Sequence, residues 1–341
     1  MTRAALCNTG VERVSAIVVA HNGGPDLLQC LESLVAQRDI DLDIVVVDNA
    51  SVDDSIGLVE GRFGDRVRVL RRATNDGYAA GANAGRLMTD AQWIGVFNQD
   101  LVLAPDCISI LCRALAQWPT SALISPLLRL KSRPEHVNAV GNDVHWSGVS
   151  WCRGAGSLAS SWSGTVEVPA ISGAAFLMRS AVFDSLGGLD ESFFMYMEDV
   201  DLSLRARRRG LACVVACDAQ ALHDWRLALT PEKFERLEAN RRVVWQRHLS
   251  GKGRFALLVQ AEAMAWLYAS LRGRRHIRAK VRSALRRAPA APRDRETVRI
   301  EQWLSTHHPY EVMFPGNTSL YVLGRLVDRI VLRLAGNPHL R

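Results

Sequence analysis

The chain has 341 residues, of which 48% are hydrophobic, enough to fill the core of one large α/β domain with a smaller region attached. Seven cysteines are scattered without a CxxC pair, which disfavours a disulfide framework and indicates buried thiols in a reducing cytosol. No charged, apolar and small-residue pattern opens the sequence, so a signal peptide is not expected.

The net charge of +7 is divided unevenly along the chain. Residues 1–224 contain 19 basic and 26 acidic side chains, whereas residues 225–341 contain 23 basic and 9 acidic ones. We therefore expect an acidic body followed by a basic tail that meets an anionic partner. Nucleic acid and an anionic membrane surface are the two candidates.

Continuous apolar runs alternate with helical patterns in the first part of the chain. The runs have the length of buried strands and lie at Val14–Val19, Ile44–Val47 and Trp93–Phe97, and a further strand is predicted at Val67–Leu70. Helices are predicted from Pro25, near Asp53–Glu60 and from Pro105. This alternation predicts an α/β fold with a mainly parallel sheet and helices on both faces. Ligands of such sheets bind beyond the carboxyl ends of the strands, which here carry Asn22, Asp48 and Asn98-Gln99-Asp100.

The segments that follow are less regular. Asn75–Gly85 is rich in small residues, which let a backbone closely approach either a packed neighbour or a ligand. Residues 141–168 combine three tryptophans with many Gly and Ser, and we expect an irregular strand–loop region there. Strand patterns return at Ser172–Met178 and Ala212–Ala216, so two further strands are predicted.

The stretch Gly187–Arg205 places three carboxylates within four residues, directly after an aromatic run. From Glu198 the pattern predicts a short helix with acids in its first turn and arginines in its last, matched to the helix dipole. Adjacent helix positions point in different directions, so Glu198, Asp199 and Asp201 cannot all serve one site. Helix capping is one interpretation. A general base is the other, because the apolar run would desolvate a carboxylate beside it while the helix terminus stabilises its charge.

The C-terminal third is predicted to be helical. Phe255–Leu271 would form a helix about 25 Å long, too short and too polar to span a bilayer, which indicates a buried or interfacial helix. Residues 272–299 contain eleven basic and two acidic side chains, typical of a solvated basic helix or, after an apolar helix, of an interfacial membrane anchor. The Asn317–Leu334 pattern indicates a core helix or a homodimer contact.

Taken together, these segments resemble the family 2 inverting glycosyltransferases of GT-A fold, over residues 13–226. The resemblance is carried by four motifs in order: Ser15–Asn22 with Asp48-Asn49-Ala50-Ser51, then Asn75–Gly85, then Asn98-Gln99-Asp100, then Gly187–Leu204. The run Phe194–Leu202 is similar to the rhamnosyltransferase branch that acts on polyprenyl-linked or cell-wall acceptors. The resemblance implies a Rossmann-like GT-A domain at residues 1–226, and the patterns beyond it predict a helical, basic, membrane-associating or oligomerising region at 227–341.

The resemblance also implies roles for individual residues. Asp199 matches the catalytic base, which takes the proton of the acceptor hydroxyl in a single inverting displacement. Gly173 and Glu198 would contact the acceptor. A divalent cation, Mg²⁺ or Mn²⁺, would bind Asp100 and His223. The nucleotide-sugar contacts would be Ala20, Asn22, Asp48, Asn75, Gly77, Asn98 and Gln99.

Some of these residues have a structural alternative. Asp48 can form a turn with the following asparagine, Asp100 can cap the helix opened by Pro105, and His223 can be a structural histidine. The sequence also departs from the family pattern at two places. Asn98 stands where a strict DxD motif has its first acid, and in Ala20-His21-Asn22 the residue before the asparagine is not the common aromatic one.

The expected function is sugar transfer from a dTDP- or UDP-sugar to a polyprenyl-linked or polysaccharide acceptor, by a peripheral protein on the inner face of the cell membrane. A catalytically inactive sugar- or nucleotide-binding protein is an alternative, which the intact Asp48, Asp100 and Asp199 disfavour. A nucleic-acid-binding protein is disfavoured because the tail lacks interleaved aromatic residues. A nucleotidyltransferase is disfavoured because no glycine-rich phosphate loop with lysine follows the first strand.

Overall fold

The computed structural model describes residues 13–118, 121–223, 230–249, 259–263, 300–305, 322, 324–328 and 331. Twelve strands are found in the described chain: β1 (Val14–Ala20), β2 (Leu42–Asp48), β3 (Arg68–Arg71), β4 (Trp93–Asn98), β5 (Val102–Leu103), β6 (Ser121–Arg129), β7 (Val137–Ala139), β8 (Asn142–Val144), β9 (Ser150–Cys152), β10 (Thr165–Glu167), β11 (Ala175–Arg179) and β12 (Ala212–Leu222). The α-helices of the same residues are α1 (Gly24–Val35), α2 (Ser55–Phe63), α3 (Tyr78–Arg86), α4 (Cys107–Gln117), α5 (Ser180–Leu186), α6 (Glu198–Arg208) and α7 (Pro231–Val244).

Ten of the strands form one mixed sheet in which β1 is central and buried along its whole length. The strand order is β10-β12-β6-β11-β4-β1-β2-β3, with β5 beside β12 and β7 beside β6. The pairs β1–β2, β1–β4, β2–β3 and β12–β6 are parallel, and β11 is antiparallel to both of its neighbours. The predicted mainly parallel α/β sheet is therefore confirmed.

Helices cover both faces of this sheet. On one face, Val14, Ala16 and Val18 pack with apolar residues of α1, α2 and α4. On the other face, Ile17 and Val19 pack with apolar residues of α3, α5 and α6. Because successive strand residues point to opposite faces, a strand that is buried at every position requires this two-sided cover.

Helix α3 approaches β1 more closely than ordinary side chains allow. A Cβ atom on Gly85 would lie 2.3 Å from Cγ2 of Ile17, and one on Gly81 would lie 2.6 Å from Cγ1 of Val19. Both glycines belong to the segment Asn75–Gly85. Its small residues are consistent, from the sequence, with either close packing or ligand binding. At these two positions the structure shows packing.

Strand β6 is the main element that sequence patterns missed, because Pro126 interrupts its apolar run. Proline is tolerated in a sheet where the ladder is locally broken. Pro126 pairs with Ala216 of β12, and the register shifts before the next pair, Leu127 with Gln220. The same irregularity explains why β12 was predicted to end at Ala216, whereas it resumes and continues to Leu222.

The chain forms two compact units, one of Met1–Asn142 with Cys152–Arg226 and the other of Asp143–Trp151 with Leu227–Arg341. The predicted domains, 1–226 and 227–341, thus differ from these units in the placement of Asp143–Trp151. In the second unit, Thr230 caps α7 by accepting a hydrogen bond from the N–H of Lys233 at 3.2 Å. Arg241 of α7 is buried and donates to the carbonyl oxygen of Ser147 at 2.9 Å.

Most of the predicted C-terminal helices lie outside the described residues. This applies to the basic segment 272–299 and to most of Phe255–Leu271 and Asn317–Leu334; residues 259–263 and 324–328 are helical. No helix within the described ranges is long and apolar enough to cross a membrane.

The close packing of α3 predicts opposite effects for two glycine substitutions. Gly85→Ala should lower the free energy of unfolding by about 1–3 kcal/mol, because the new methyl group overpacks against Ile17. Gly57 of α2 has no atom within 4 Å of an added Cβ, so Gly57→Ala should raise stability by about 0.4–1 kcal/mol. Urea unfolding of both variants tests this, and equal effects would show that the α3 contact is not tight.

Candidate active site

The carboxyl ends of β1, β2, β4, β6 and β12 all lie at one edge of the sheet. Because β11 runs in the opposite direction, the residues that precede it lie at this edge as well. The edge therefore collects most of the predicted site residues on separate elements, and these are Ala20, Asn22, Asp48, Asn98, Gln99, Asp100, Gly173 and His223.

The loops after β1 and β2 are joined by hydrogen bonds of the predicted nucleotide-binding residues. Asn22 is exposed with φ +49°, and its Oδ1 accepts from the N–H of Val52 at 2.8 Å while its own N–H donates to Ser51 Oγ at 2.9 Å. Asp48 is buried, and its Oδ1 accepts from the N–H of Ser51 at 2.9 Å. One carboxylate oxygen of Asp48 thus stabilises the turn, and the second oxygen can accept a hydrogen bond from another group.

The ends of β1 and β4 are held together by Gln99. Its Oε1 accepts from the N–H of His21 at 2.9 Å, and its Nε2 donates to the carbonyl of His21 at 3.2 Å. The N–H of Asn98 donates to the carbonyl of Ala174 at 2.8 Å, and Ala20 is fully buried. Gln99, Asn98 and Ala20 therefore hold the strand ends in place at this edge of the sheet.

Asn75 and Gly77 shape the start of α3. Asn75 Oδ1 accepts from the N–H of Gly77 at 3.0 Å, and Gly77 has φ +94°, which favours glycine. A Cβ atom there would lie 2.2 Å from the carbonyl oxygen of Phe194, in the segment that leads into α6. The amino end of α3 is therefore fixed against the segment that precedes the predicted base.

Asp100 and His223 meet at this edge, as the predicted metal site requires. His223 Nε2 lies 3.5 Å from Asp100 Oδ1, and the side chains are 6% and 41% exposed. Burial opposes ionisation of Asp100, but the hydrogen bond and charge of His223 outweigh it and hold the pKa of that carboxyl below its usual value. A charged carboxylate is thus available at an accessible position.

The imidazole of His223 is oriented by a second contact. Its Nδ1 lies 3.1 Å from Oδ1 of the buried Asn138, so an Nδ1–H can donate to the amide and leave a lone pair on Nε2. Two electron-rich atoms then face each other, Nε2 and the Asp100 carboxylate, and either a proton or a cation between them stabilises the pair. These residues fit a divalent cation that takes its remaining ligands from water or substrate phosphates. Within the described chain, no group of three or more His, Cys, Asp or Glu side chains suits a metal ion.

The carboxylate of Asp199, at the second position of α6, is half-buried and accepts three hydrogen bonds. Its Oδ2 accepts from the N–H of Gly173 at 2.7 Å and from Asn142 Nδ2 at 3.1 Å, and its Oδ1 accepts from the N–H of Val200 at 2.8 Å. Burial raises the pKa of Asp199 above its usual value, although these donors oppose the rise. Such a carboxylate can accept a proton in a fixed orientation.

The other two acids of α6 have different surroundings. Asp201 is fully buried and accepts from Arg205 Nε at 2.8 Å, and Arg205 also donates to the carbonyl of Gly188 at 2.8 Å. Glu198 is 5% exposed, and its Oε2 has no hydrogen-bond partner in the part of the chain that the structure describes. Burial, then the charge of Asp199, raises the pKa of Glu198 to about 8. Asp201 is therefore structural, whereas Glu198 is buried with one carboxyl oxygen that has no partner among the described residues.

Sequence reasoning missed the residues that support these groups. Asn142 lies in the irregular 141–168 region, and its contact with Asp199 joins residues 57 positions apart. Asn138 is likewise far in sequence from His223, to which its side chain is hydrogen-bonded. Tyr78 is also far in sequence from Gly173, to whose carbonyl oxygen it donates. Periodicity and motif spacing carry no signal for such contacts, because only the folded sheet brings the partners together.

The fold matches that of solved GT-A glycosyltransferases. The crystal structure of GalNAc-T7 with UDP, GalNAc and Mn²⁺ superimposes with a TM-score of 0.57 at 15% identity, over 71% of this chain and 50% of that one. The mannosyltransferase PcManGT from Pyrobaculum calidifontis, in complex with GDP-Man and Mn²⁺, gives 0.52 at 17% identity, over 95% of this chain and 86% of that one. The predicted GT-A fold is confirmed.

The sequence comparison identifies the family. The model of glycosyl transferase family 2 matches residues 15–185, and the chain belongs to this family. A relative from Mycobacterium tuberculosis, N-acetylglucosaminyl-diphospho-decaprenol L-rhamnosyltransferase, is 29% identical over 229 residues, which cover 61% of this chain and 74% of the relative. The predictions of a glycosyltransferase and of its rhamnosyltransferase-like branch are thereby confirmed.

Proposed function

We propose that the protein transfers a sugar, with rhamnose as the first candidate, from a dTDP- or UDP-sugar to a polyprenyl-linked or polysaccharide acceptor, with inversion at the anomeric carbon. The observation that carries this proposal is the Asp199 carboxylate, fixed by Gly173, Val200 and Asn142 at the ligand-binding edge of the sheet. The similarity to a rhamnosyltransferase with a diphospho-decaprenol acceptor supports the choice of sugar and acceptor.

In the proposed reaction, Asp199 takes the proton from the acceptor hydroxyl as its oxygen attacks the anomeric carbon and the nucleoside diphosphate leaves. A raised pKa makes the carboxylate a stronger base, and the three donors keep it oriented. A single displacement of this kind inverts the anomeric configuration.

Gly173 and Glu198 are proposed to contact the acceptor, because they flank the base. Gly173 is packed so closely that an added Cβ would lie 2.9 Å from Asp199 Cβ. Glu198 keeps its proton near neutral pH, since the pKa of its carboxyl is about 8, and a protonated carboxyl can donate a hydrogen bond to an acceptor oxygen. It therefore adds no second negative charge beside Asp199.

The donor is proposed to occupy the edge formed by Ala20, Asn22, Asp48, Asn75, Gly77, Asn98 and Gln99. Asp48 would accept the N3–H of uracil or thymine with its remaining oxygen. Asp100 and His223 would hold Mg²⁺ or Mn²⁺, whose positive charge, when bound, stabilises the departing diphosphate.

The basic C-terminal region is proposed to hold the protein against the anionic inner face of the membrane, where a polyprenyl-linked acceptor is available. The support is the sequence alone: 23 basic against 9 acidic residues in 225–341, with the densest cluster at 272–299. Each basic residue close to an anionic surface contributes about 1 kcal/mol.

Asp199→Asn tests the base directly. The amide cannot accept the acceptor's proton, so transfer should fall at least about a hundredfold, while donor affinity should stay within about twofold. The assay uses dTDP-rhamnose with an N-acetylglucosaminyl-diphospho-polyprenol, and calorimetry measures donor binding. Turnover close to wild type in this variant would show that another group is the base.

Asp100→Ala tests the metal site. The wild-type protein with dTDP should show a higher unfolding temperature when Mn²⁺ or Mg²⁺ is added, because a ligand that binds the folded state stabilises it. Asp100→Ala should lose that increase, whereas the exposed control Asp65→Ala should keep it. An increase that survives in Asp100→Ala would place the cation elsewhere.

Replacing Arg274, Arg275 and Arg278 by Gln tests the membrane proposal. The binding free energy of the full chain on vesicles that contain anionic lipid, measured by co-sedimentation, should weaken by up to about 3 kcal/mol. High salt should release the wild type from the same vesicles. Equal binding to neutral and anionic vesicles, or binding to neither, would contradict the electrostatic anchor. Stronger retention on nucleic acid at physiological salt would favour that partner instead.

A further inference from the structure

The hydrogen bonds around Asp199 lead, through one intermediate residue, to Tyr78 at the first position of α3. The Tyr78 hydroxyl donates to the carbonyl oxygen of Gly173 at 2.6 Å. The N–H of the same Gly173 donates to Asp199 Oδ2 at 2.7 Å. Tyr78 is 8% exposed, so its ring is held by packing and its hydroxyl has a fixed direction.

Tyr78 is also bonded to the segment that leads into α6. Its main-chain N–H donates to the carbonyl oxygen of Phe194 at 2.6 Å. Phe194, Tyr196 and Met197 all have positive φ, between 59° and 72°. Non-glycine residues keep such conformations only where surrounding contacts determine them, and this hydrogen bond is one of those contacts.

We propose that Tyr78 is a positioning residue for Asp199: its hydroxyl fixes Gly173, which holds the carboxylate, and its N–H fixes the segment that sets the start of α6. The inference rests on the proposed function, in which Asp199 is the base. Gly77 directly precedes Tyr78 and Asn75 lies three residues before it, so Tyr78 joins the proposed donor-binding segment to the proposed base.

The electrostatic surroundings keep the Tyr78 hydroxyl a donor. Burial, then the charges of Glu198, Asp199 and Asp100, raises the pKa of Tyr78 well above its usual value. The phenol therefore stays protonated over the pH range in which the carboxyl groups titrate. The groups that interact with Asp199 in this arrangement are Glu198 of α6, Tyr78 of α3 and Asn142 of β8, and the charge of Asp201 acts on Glu198.

Tyr78→Phe removes the hydroxyl and keeps the ring. Without that bond, Gly173 is less well fixed, and its N–H holds the Asp199 carboxylate less firmly. Because this donor favours the ionised form, its weakening should move the titration midpoint of Asp199 to higher pH. Carbon-13 NMR of labelled aspartate measures the midpoint without any substrate, with Asp199→Asn to assign the signal. A Glu198→Gln background removes the neighbouring carboxyl that titrates with it.

The matched control is Ser180→Ala. Ser180 is buried, and its hydroxyl also donates to a main-chain carbonyl, that of Ala91 at 2.5 Å, but at the opposite edge of the sheet. It should leave the Asp199 midpoint unchanged. Gly173→Ala should raise the midpoint as Tyr78→Phe does, because the added methyl group displaces the carboxylate.

The kinetic measurement uses dTDP-rhamnose and an N-acetylglucosaminyl-diphospho-polyprenol. Tyr78→Phe should lower kcat about tenfold to a hundredfold with little change in the donor KM, and should move the acidic limb of the kcat–pH profile to higher pH. A folded Tyr78→Phe protein whose Asp199 midpoint equals that of wild type would overturn the inference. If wild type transfers no sugar, the proposed function fails, and the titration still decides the role of Tyr78.

Discussion

The Asp199 carboxylate is held between main-chain N–H groups and an amide, and this set of hydrogen bonds connects otherwise separate parts of the fold. Gly173 precedes β11, Asn142 begins β8, and Val200 belongs to α6 itself. A half-buried carboxylate needs such donors, because desolvation without them would favour its neutral form. The arrangement of these three elements therefore determines how the carboxylate of Asp199, the proposed base, is held.

The three acids of α6 show how burial separates groups that are neighbours in sequence. Asp201 is fully buried and paired with Arg205, so its charge is neutralised inside the unit. Glu198 has no such partner, and burial keeps it protonated near neutral pH. Asp199 lies between them with main-chain donors and partial access to solvent. One short acidic stretch thus supplies a structural ion pair, a neutral carboxyl and a proposed base.

Local patterns predicted the elements that carry their own signal. The buried strand β1, the residues at its end and the acidic start of α6 were predicted from periodicity and motifs. β6 was missed because Pro126 is tolerated only through the shifted pairing of β12, which its own residues do not encode. Asn142 and Tyr78 were missed for a similar reason, since their contacts depend on distant partners. Motif spacing predicted which residues carry the chemistry, and the folded chain shows which residues contact and orient them.

The most direct test of the central claim is the anomeric configuration of the product. Proton NMR can follow transfer of rhamnose from dTDP-rhamnose to the lipid-linked acceptor and assign the new glycosidic bond before any rearrangement. A single displacement assisted by Asp199 predicts a configuration opposite to that of the donor. A product that retains the donor configuration would contradict the account, because retention requires two displacements or a different reaction path.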